Sequence, residues 1–309
     1  MLEDVKTDDL RLRNPHHHFP DHVQTGLDHI GLQRADALVN RDLMLSASRP
    51  NADERRVMRE IEAEGQSVNF DKAKKLLRDY SERVRPFNLA DLSGTLPEMD
   101  WSPRAVDNTF WWAETQAWSS GGIGAQFLTD GLHFFGRRSY DSDPLFSFSV
   151  GATARFVISP DRRPPSASGR YLSFPYVELY GSINGWTNLQ RCPWFCDDKW
   201  CKCFLFLRQS AVQFVDDAGN WTLVGEATSH RTLINEEGNG VGVQAPMPGH
   251  LPIPPLNFGL ARPDRDIIID IEVRFDIQLE GDSFIRFSPG DNPANSVVLR
   301  HFQWPCLAA

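Results

Sequence analysis

Ile267-Ile268-Ile269-Asp270-Ile271-Glu272-Val273-Arg274-Phe275-Asp276-Ile277-Gln278-Leu279 alternates almost without a break. Every odd position is apolar, and nearly every even position is polar. Successive strand side chains point to opposite faces, so the run describes one apolar and one wetted face of an antiparallel sheet. A helix would scatter the same residues around its circumference. A second run repeats the pattern. Phe146, Phe148, Val150, Ala152, Ala154, Phe156 and Ile158 are interleaved with Ser147, Ser149, Thr153 and Arg155. Two straight strands of this length would each reach roughly 40 Å, longer than strands usually run. They are expected to bend or to carry a bulge, and Gly151, in mid-strand, is the expected place.

Working outward, Tyr176 to Ile183, Lys202 to Val215, Trp221 to Leu233 and Phe284 to Phe287 read as further strands. Asp216-Asp217-Ala218-Gly219-Asn220 has the chemistry of a hairpin loop, and Glu280-Gly281-Asp282-Ser283 reads as a second one. Pro- and Gly-rich loops at Pro160–Gly169 and Asn239–Pro255 separate strands. Many strands with turn clusters between them, and no alternating helices, predict a mainly β protein: an antiparallel β-sandwich, jelly-roll-like, with an N-terminal helical region.

The boundary is placed at residue 118, with a helical and irregular region over 1–118 and the sandwich over 119–309. Leu32, Ala35, Leu38, Val39 and Leu43 recur at helical spacing. Asn51 or Asp53 caps a second helix carrying Val57 and Ile61, and Asn69 caps a third with Ala73, Leu76, Leu77, Tyr80 and Val84. From Pro86 to Trp118 the chain reads as irregular, anchored by Trp101, Phe110, Trp111, Trp112 and Trp118.

Composition sets limits on function. The chain has 309 residues, 41% hydrophobic and 24% charged, which is ordinary for a folded globule. Its net charge of −9 is spread evenly, with no basic tail or stripe, so no nucleic acid partner is expected and an anionic membrane is disfavoured. The first ten residues carry four acidic side chains and no apolar block, and only five cysteines are present. A cytoplasmic location is the expectation, with non-classical export left open.

Four of the cysteines cluster as Cys192, Cys196, Cys201 and Cys203. Four thiolates hold zinc tetrahedrally, although this spacing lacks the usual pair of residues between ligands. A disulfide and a set of small buried hydrophobes are the competing readings. His16, His18 and His22 form a second candidate metal set, suited to zinc, iron or copper. Pro15 and Pro20 bracket that segment, so a helix presenting ligands at i and i+4 is not expected there. Zinc or iron is therefore the cofactor to test for.

Around the cysteines stand Trp186, Trp194 and Trp200, with Asp197 and Asp198. Flat rings stack on the apolar faces of pyranoses while carboxylates accept hydroxyl hydrogens, so these five residues are the candidate ligand site. The same residues also suit a protein interface, or a loop that buries its own rings. No G-x-S-x-G elbow is present, and Gly121-Gly122-Ile123-Gly124 lacks the context of a phosphate loop. His133 and His230 are lone strand histidines without an identifiable carboxylate partner.

These features favour a recognition or assembly protein that binds a carbohydrate or protein partner through aromatic loops, with the N-terminal arm serving homo-oligomerisation. The alternative is an enzyme with an apolar pocket in the β-domain, metal-dependent or not, acting on a small organic substrate. A membrane-active protein is the third and weakest reading.

Overall fold

The structure, a computed structural model, describes residues 8–13, 19–30, 111–128, 131–163, 165–187, 199–216, 218, 220–238, 240–287, 297–303 and 306–308. The three helices expected between Leu32 and Val84, and the anchors Trp101 and Phe110, lie outside them.

The fold is mainly antiparallel β, as the alternation requires. Two strands dominate: β4 (Gly131–Ile158) and β13 (Ile267–Phe287). They pair along almost their whole lengths, from Ile267 opposite Ile158 to Phe287 opposite Gly136. The expected hairpin at Glu280–Ser283 does not form. The register shifts between Leu279 and Gly281, and the chain runs on along the same partner strand. Gly281 sits at φ 65°, a left-handed conformation that glycine adopts without a Cβ penalty. The pair turns a corner here together.

The corner makes the sandwich. Phe275 and Phe287 lie twelve residues apart on one strand, roughly 40 Å if it were straight. Their rings meet edge to face at 5.3 Å, and Phe275 also meets Phe134 of β4 at 6.0 Å. One continuous sheet is thus folded over on itself, with the odd-numbered apolar face inside. Gly151, the expected bulge, stays in unbroken register opposite Arg274, with the Trp118 ring lying against its bare Cα.

Other strands extend each half. On one side of the corner, β13 pairs with β8 (Trp200–Phe214), which pairs with β9 (Trp221–Glu237). β4 pairs there with β2 (Trp111–Ser119), which pairs with β1 (Asp8–Arg13). The aromatic stretch read as irregular is therefore a strand from Trp111 onward. Beyond the corner, β13 pairs with β7 (Ser182–Thr187), and β7 with β10 (Gly242–Pro246). The start of β4 pairs with β3 (Ile123–Leu128) and β14 (Val297–Gln303); β14 leads to β6 (Tyr176–Tyr180) and β11 (Gly249–Pro252). A small separate sheet contains β5 (Arg170–Ser173), β12 (Leu256–Gly259) and β15 (Cys306–Ala308). The hairpin at Asp216–Asn220 forms as expected: the Asp216 carboxylate accepts from the backbone amides of Ala218 and Asn220.

The even face of β13 is wetted only in part: Arg274, Asp276, Gln278 and Arg286 are half-buried on it. Asp270 and Glu272 are only 1% and 2% exposed. Register brings Arg13, Glu114, Arg155 and Asp270 into one row across β1, β2, β4 and β13, with alternating charge. Glu114 pairs with Arg155 and, at 2.8 Å, with Arg11. Opposite charges placed directly across strands offset the cost of burying each.

A helix over residues 21–30 (α1) covers one end of this face, where the sequence predicts no helix. The carbonyl of Pro20 accepts from the amides of Val23 and Gln24, so proline sits at the helix start, where it is tolerated. Val23, Leu27 and Ile30 pack on Val157, Val212, Phe214 and Ile268. A Cβ at Gly26 would lie 2.3 Å from a ring carbon of Phe214. Alanine ordinarily improves a helix by about 1 kcal/mol over glycine. Here Gly26→Ala is expected to destabilise by about 1–3 kcal/mol through overpacking. Chemical denaturation checks this, and a gain in stability would mean that α1 does not press on Phe214.

Candidate functional site

The residues of β7 alternate like the other strands. Ile183 and Gly185 are buried inward, while Asn184 and Trp186 are half-buried on the outer face. Register builds two rows on that face. Gly242 of β10, Trp186, Phe284 of β13 and Ser139 of β4 form the first; Gln244, Asn184, Arg286 and Arg137 form the second.

In the first row, the Trp186 and Phe284 ring centroids are 3.8 Å apart, with planes 37° from parallel. Phe284 is only 8% exposed, so Trp186 is the ring that meets solvent and Phe284 is its backing. Gly242 places no side chain beside the indole. In the second row, Asn184 makes no side-chain hydrogen bond among the described residues, and the Arg286 Nε is buried without a partner.

A recess of about 420 Å³ adjoins these rows, lined by Asn184, Trp186, Thr187 and residues 240–243. Its wall is fixed by two bonds: the Thr187 amide donates to the Val241 carbonyl at 2.8 Å, and the Val241 amide donates to Thr187 Oγ1 at 3.3 Å. Every side chain of the two rows stands on a sheet strand, which fixes its direction.

Trp186 is thus the one described member of the expected ligand set that the structure offers to a ligand. Trp200 is only 6% exposed, with the Lys202 ammonium 3.9 Å above its ring, so it belongs to the packing. Trp194, Asp197 and Asp198 lie outside the described residues. Asn184, Phe284, Arg286 and Arg137 were not anticipated. The outward alternation of Phe284 and Arg286 was visible in the sequence, but their neighbours on other strands were not.

Of the two candidate metal sets, Cys201, Cys203 and His22 lie among the described residues. Cys201 and Cys203 begin β8 with their thiols in the apolar core, where Cys201 donates to the Phe284 carbonyl at 3.2 Å. Burial pushes the Cys201 thiol up to about 12 and that of Cys203 well above its usual value. Cys192 and Cys196, like His16 and His18, lie outside the described residues. His22 stands in the first turn of α1, edge-on to Phe214, with its Nε2 3.5 Å from Asp266. No group of three potential ligands is gathered among the described residues. His133 is buried in β4 and His230 is exposed on β9; neither lines the recess.

The thiols make alkaline stability a test. Below pH 9 both folded and unfolded states keep the protons. Above it the unfolded thiols ionise while the native ones do not, so stability falls as pH rises toward about 12. The expected slope is about 1.4 kcal/mol per pH unit per thiol. Cys201→Ala/Cys203→Ala is expected to flatten that limb in denaturation series; an unchanged slope would show the thiols ionise in the native state.

No protein-family model matches the sequence, and no curated protein is significantly similar to it. Among solved structures, the chain has weak likeness to carbohydrate-binding modules. One is the family 61 module TmCBM61 in complex with beta-1,4-galactotriose, at 8% identity and TM-score 0.18, covering 63% of this chain and 87% of that one. Another is the CBM22-1 xylan-binding domain from Paenibacillus barcinonensis Xyn10C, at 10% identity and TM-score 0.17, covering 64% and 87%. A third is CBM28, a non-crystalline cellulose specific module, at 12% identity and TM-score 0.22, covering 66% and 93%. Likeness at this level carries no argument about ligand, which has to come from the surface of the chain itself.

Proposed function

We propose that this protein recognises carbohydrate on the outer face formed by β7, β13 and β10, with Trp186 as the stacking platform. The observation that carries the reading is the half-exposed indole backed by Phe284, with Asn184 beside it and without a side-chain partner among the described residues. The apolar face of a pyranose packs on a flat ring, and hydroxyls at its edge need donors and acceptors. The Asn184 amide supplies both, Gln244 stands next to it in the row, and the neighbouring guanidiniums add donors. A sheet holds these groups without ordering a loop, so little entropy is lost when sugar binds.

Affinity electrophoresis against a panel of soluble polysaccharides, followed by calorimetry, tests the reading. Trp186→Ala is expected to weaken binding at least tenfold, about 1.4 kcal/mol or more. Its thermal midpoint should move only a few degrees, since the indole is half-exposed. Retained binding in the variant, or no binding to any polysaccharide by the wild type, overturns the proposal.

A further inference from the structure

We infer that the sugar this face takes is anionic, with its carboxylate or sulfate ester held between Arg286 and Arg137. This rests on the carbohydrate reading above and adds the charge class of the ligand.

Arg286 and Arg137 stand directly opposite each other on β13 and β4, so both project from the same face. Like charges directly across strands repel, and a sheet normally avoids the arrangement. Among the described residues neither guanidinium has an ion pair or a hydrogen-bond partner, and the Arg286 Nε is buried without one. Asp282, four residues before Arg286 on β13, is engaged in contacts of its own.

On the other half of the sheet the arginines of the described strands are paired with carboxylates, apart from the exposed Arg231 of β9. Arg11 and Arg13 face Glu114 and Asp28, Arg155 faces Glu114 and Asp270, Arg208 faces Glu226 and Glu272, and Arg274 faces Glu272 and Asp276. This chain, with 41 acidic residues against 32 basic ones, has carboxylates to spare. It leaves two guanidiniums unneutralised side by side, in the row next to its solvent-facing indole. An oxyanion on a ring stacked at Trp186 meets both forks, and guanidinium geometry matches carboxylate and sulfate oxygens in pairs.

The test uses matched polymers that differ in charge: polygalacturonate against its fully methyl-esterified form, and dextran sulfate against dextran. The full chain is expected to bind one charged member at least tenfold more tightly than its neutral counterpart, and the preference should shrink as salt rises. Which pair shows the preference identifies carboxylate or sulfate. Arg286→Gln and Arg137→Gln should each lower affinity for the charged polymer at least fivefold and leave any binding to the neutral one unchanged. Arg231→Gln, an exposed cation on β9 away from the face, should change neither.

Equal affinity for charged and neutral members, still abolished by Trp186→Ala, overturns the anionic inference and leaves the carbohydrate reading standing. An equal loss in Arg231→Gln also overturns it, as a general charge effect. Failure to bind any of the four polymers removes this inference; failure across the wider panel removes the carbohydrate reading as well.

Discussion

Replacing Arg155 with methionine is expected to cost about 3–5 kcal/mol of folding stability, because it removes a buried cation from beside two buried carboxylates. Arg155 is fully buried, joins Glu114 through its Nη1 and stands 3.9 Å through its Nε from Asp270. Methionine fills much of the volume, so lost packing is a small part of the effect. Glu114 keeps Arg11 in Arg155→Met, whereas Asp270 loses the cation it faces in the row. The cause can be isolated. Adding Asp270→Asn to Arg155→Met removes the carboxylate that faced the lost cation and is expected to recover more than 1 kcal/mol, since a neutral amide costs less to bury than a carboxylate that has lost a counterion. Urea denaturation of the three proteins measures this. A loss below 1 kcal/mol for Arg155→Met would mean that water reaches the row.

Phe275→Ala is expected to cost about 3–5 kcal/mol, the range for deleting a buried aromatic ring. The magnitude alone says only that Phe275 is in a core. Its coupling to Phe287 says what shape the strand takes. The two rings touch at 5.3 Å although twelve residues of one strand separate them. A cycle of Phe275→Ala, Phe287→Ala and the double variant is therefore expected to show an interaction energy of about 0.5–3 kcal/mol, as residues in contact do. Strict additivity would mean that the strand does not fold back at Gly281, and the two-layer architecture would fall with it.

The corner shows where sequence reading reaches its end. Glu280-Gly281-Asp282-Ser283 has the composition of a hairpin loop, and nothing local distinguishes a reversal from a bend. What distinguishes them is the partner. β4 continues beside β13 through the turn, so the chain bends without exchanging neighbours. In contrast, Asp216–Asn220 is a hairpin on local grounds alone, because the Asp216 side chain supplies the bonds that close it. The helix over 21–30 was legible in part. Val23, Leu27 and Ile30 have helical spacing, but Pro20 was read as a barrier when it is the starting residue. Ile268, the even position that breaks the polar alternation of β13, is where that helix docks.

The candidate site divides in the same way. Trp186 announces itself as a large ring near polar residues, which is why it could be named without a structure. Trp200 announced itself equally and proved to be packing, since sequence shows a ring but not which side of a sheet it lies on. Arg137 and Arg286 are 149 positions apart, and each is unremarkable until register sets them opposite one another.

By itself, the sequence determined the antiparallel β class, the inward face of the longest strands and one hairpin, because burial imposes a two-residue period on any strand that covers a core. The tertiary structure alone decided that part of the polar face is buried, that one sheet folds over to make both layers, and that two cations without a partner among the described residues stand in the row beside a half-exposed indole. Those outcomes depend on which distant segments become neighbours, and strand register, which sets them, is a property of pairs of strands that no single stretch of sequence contains.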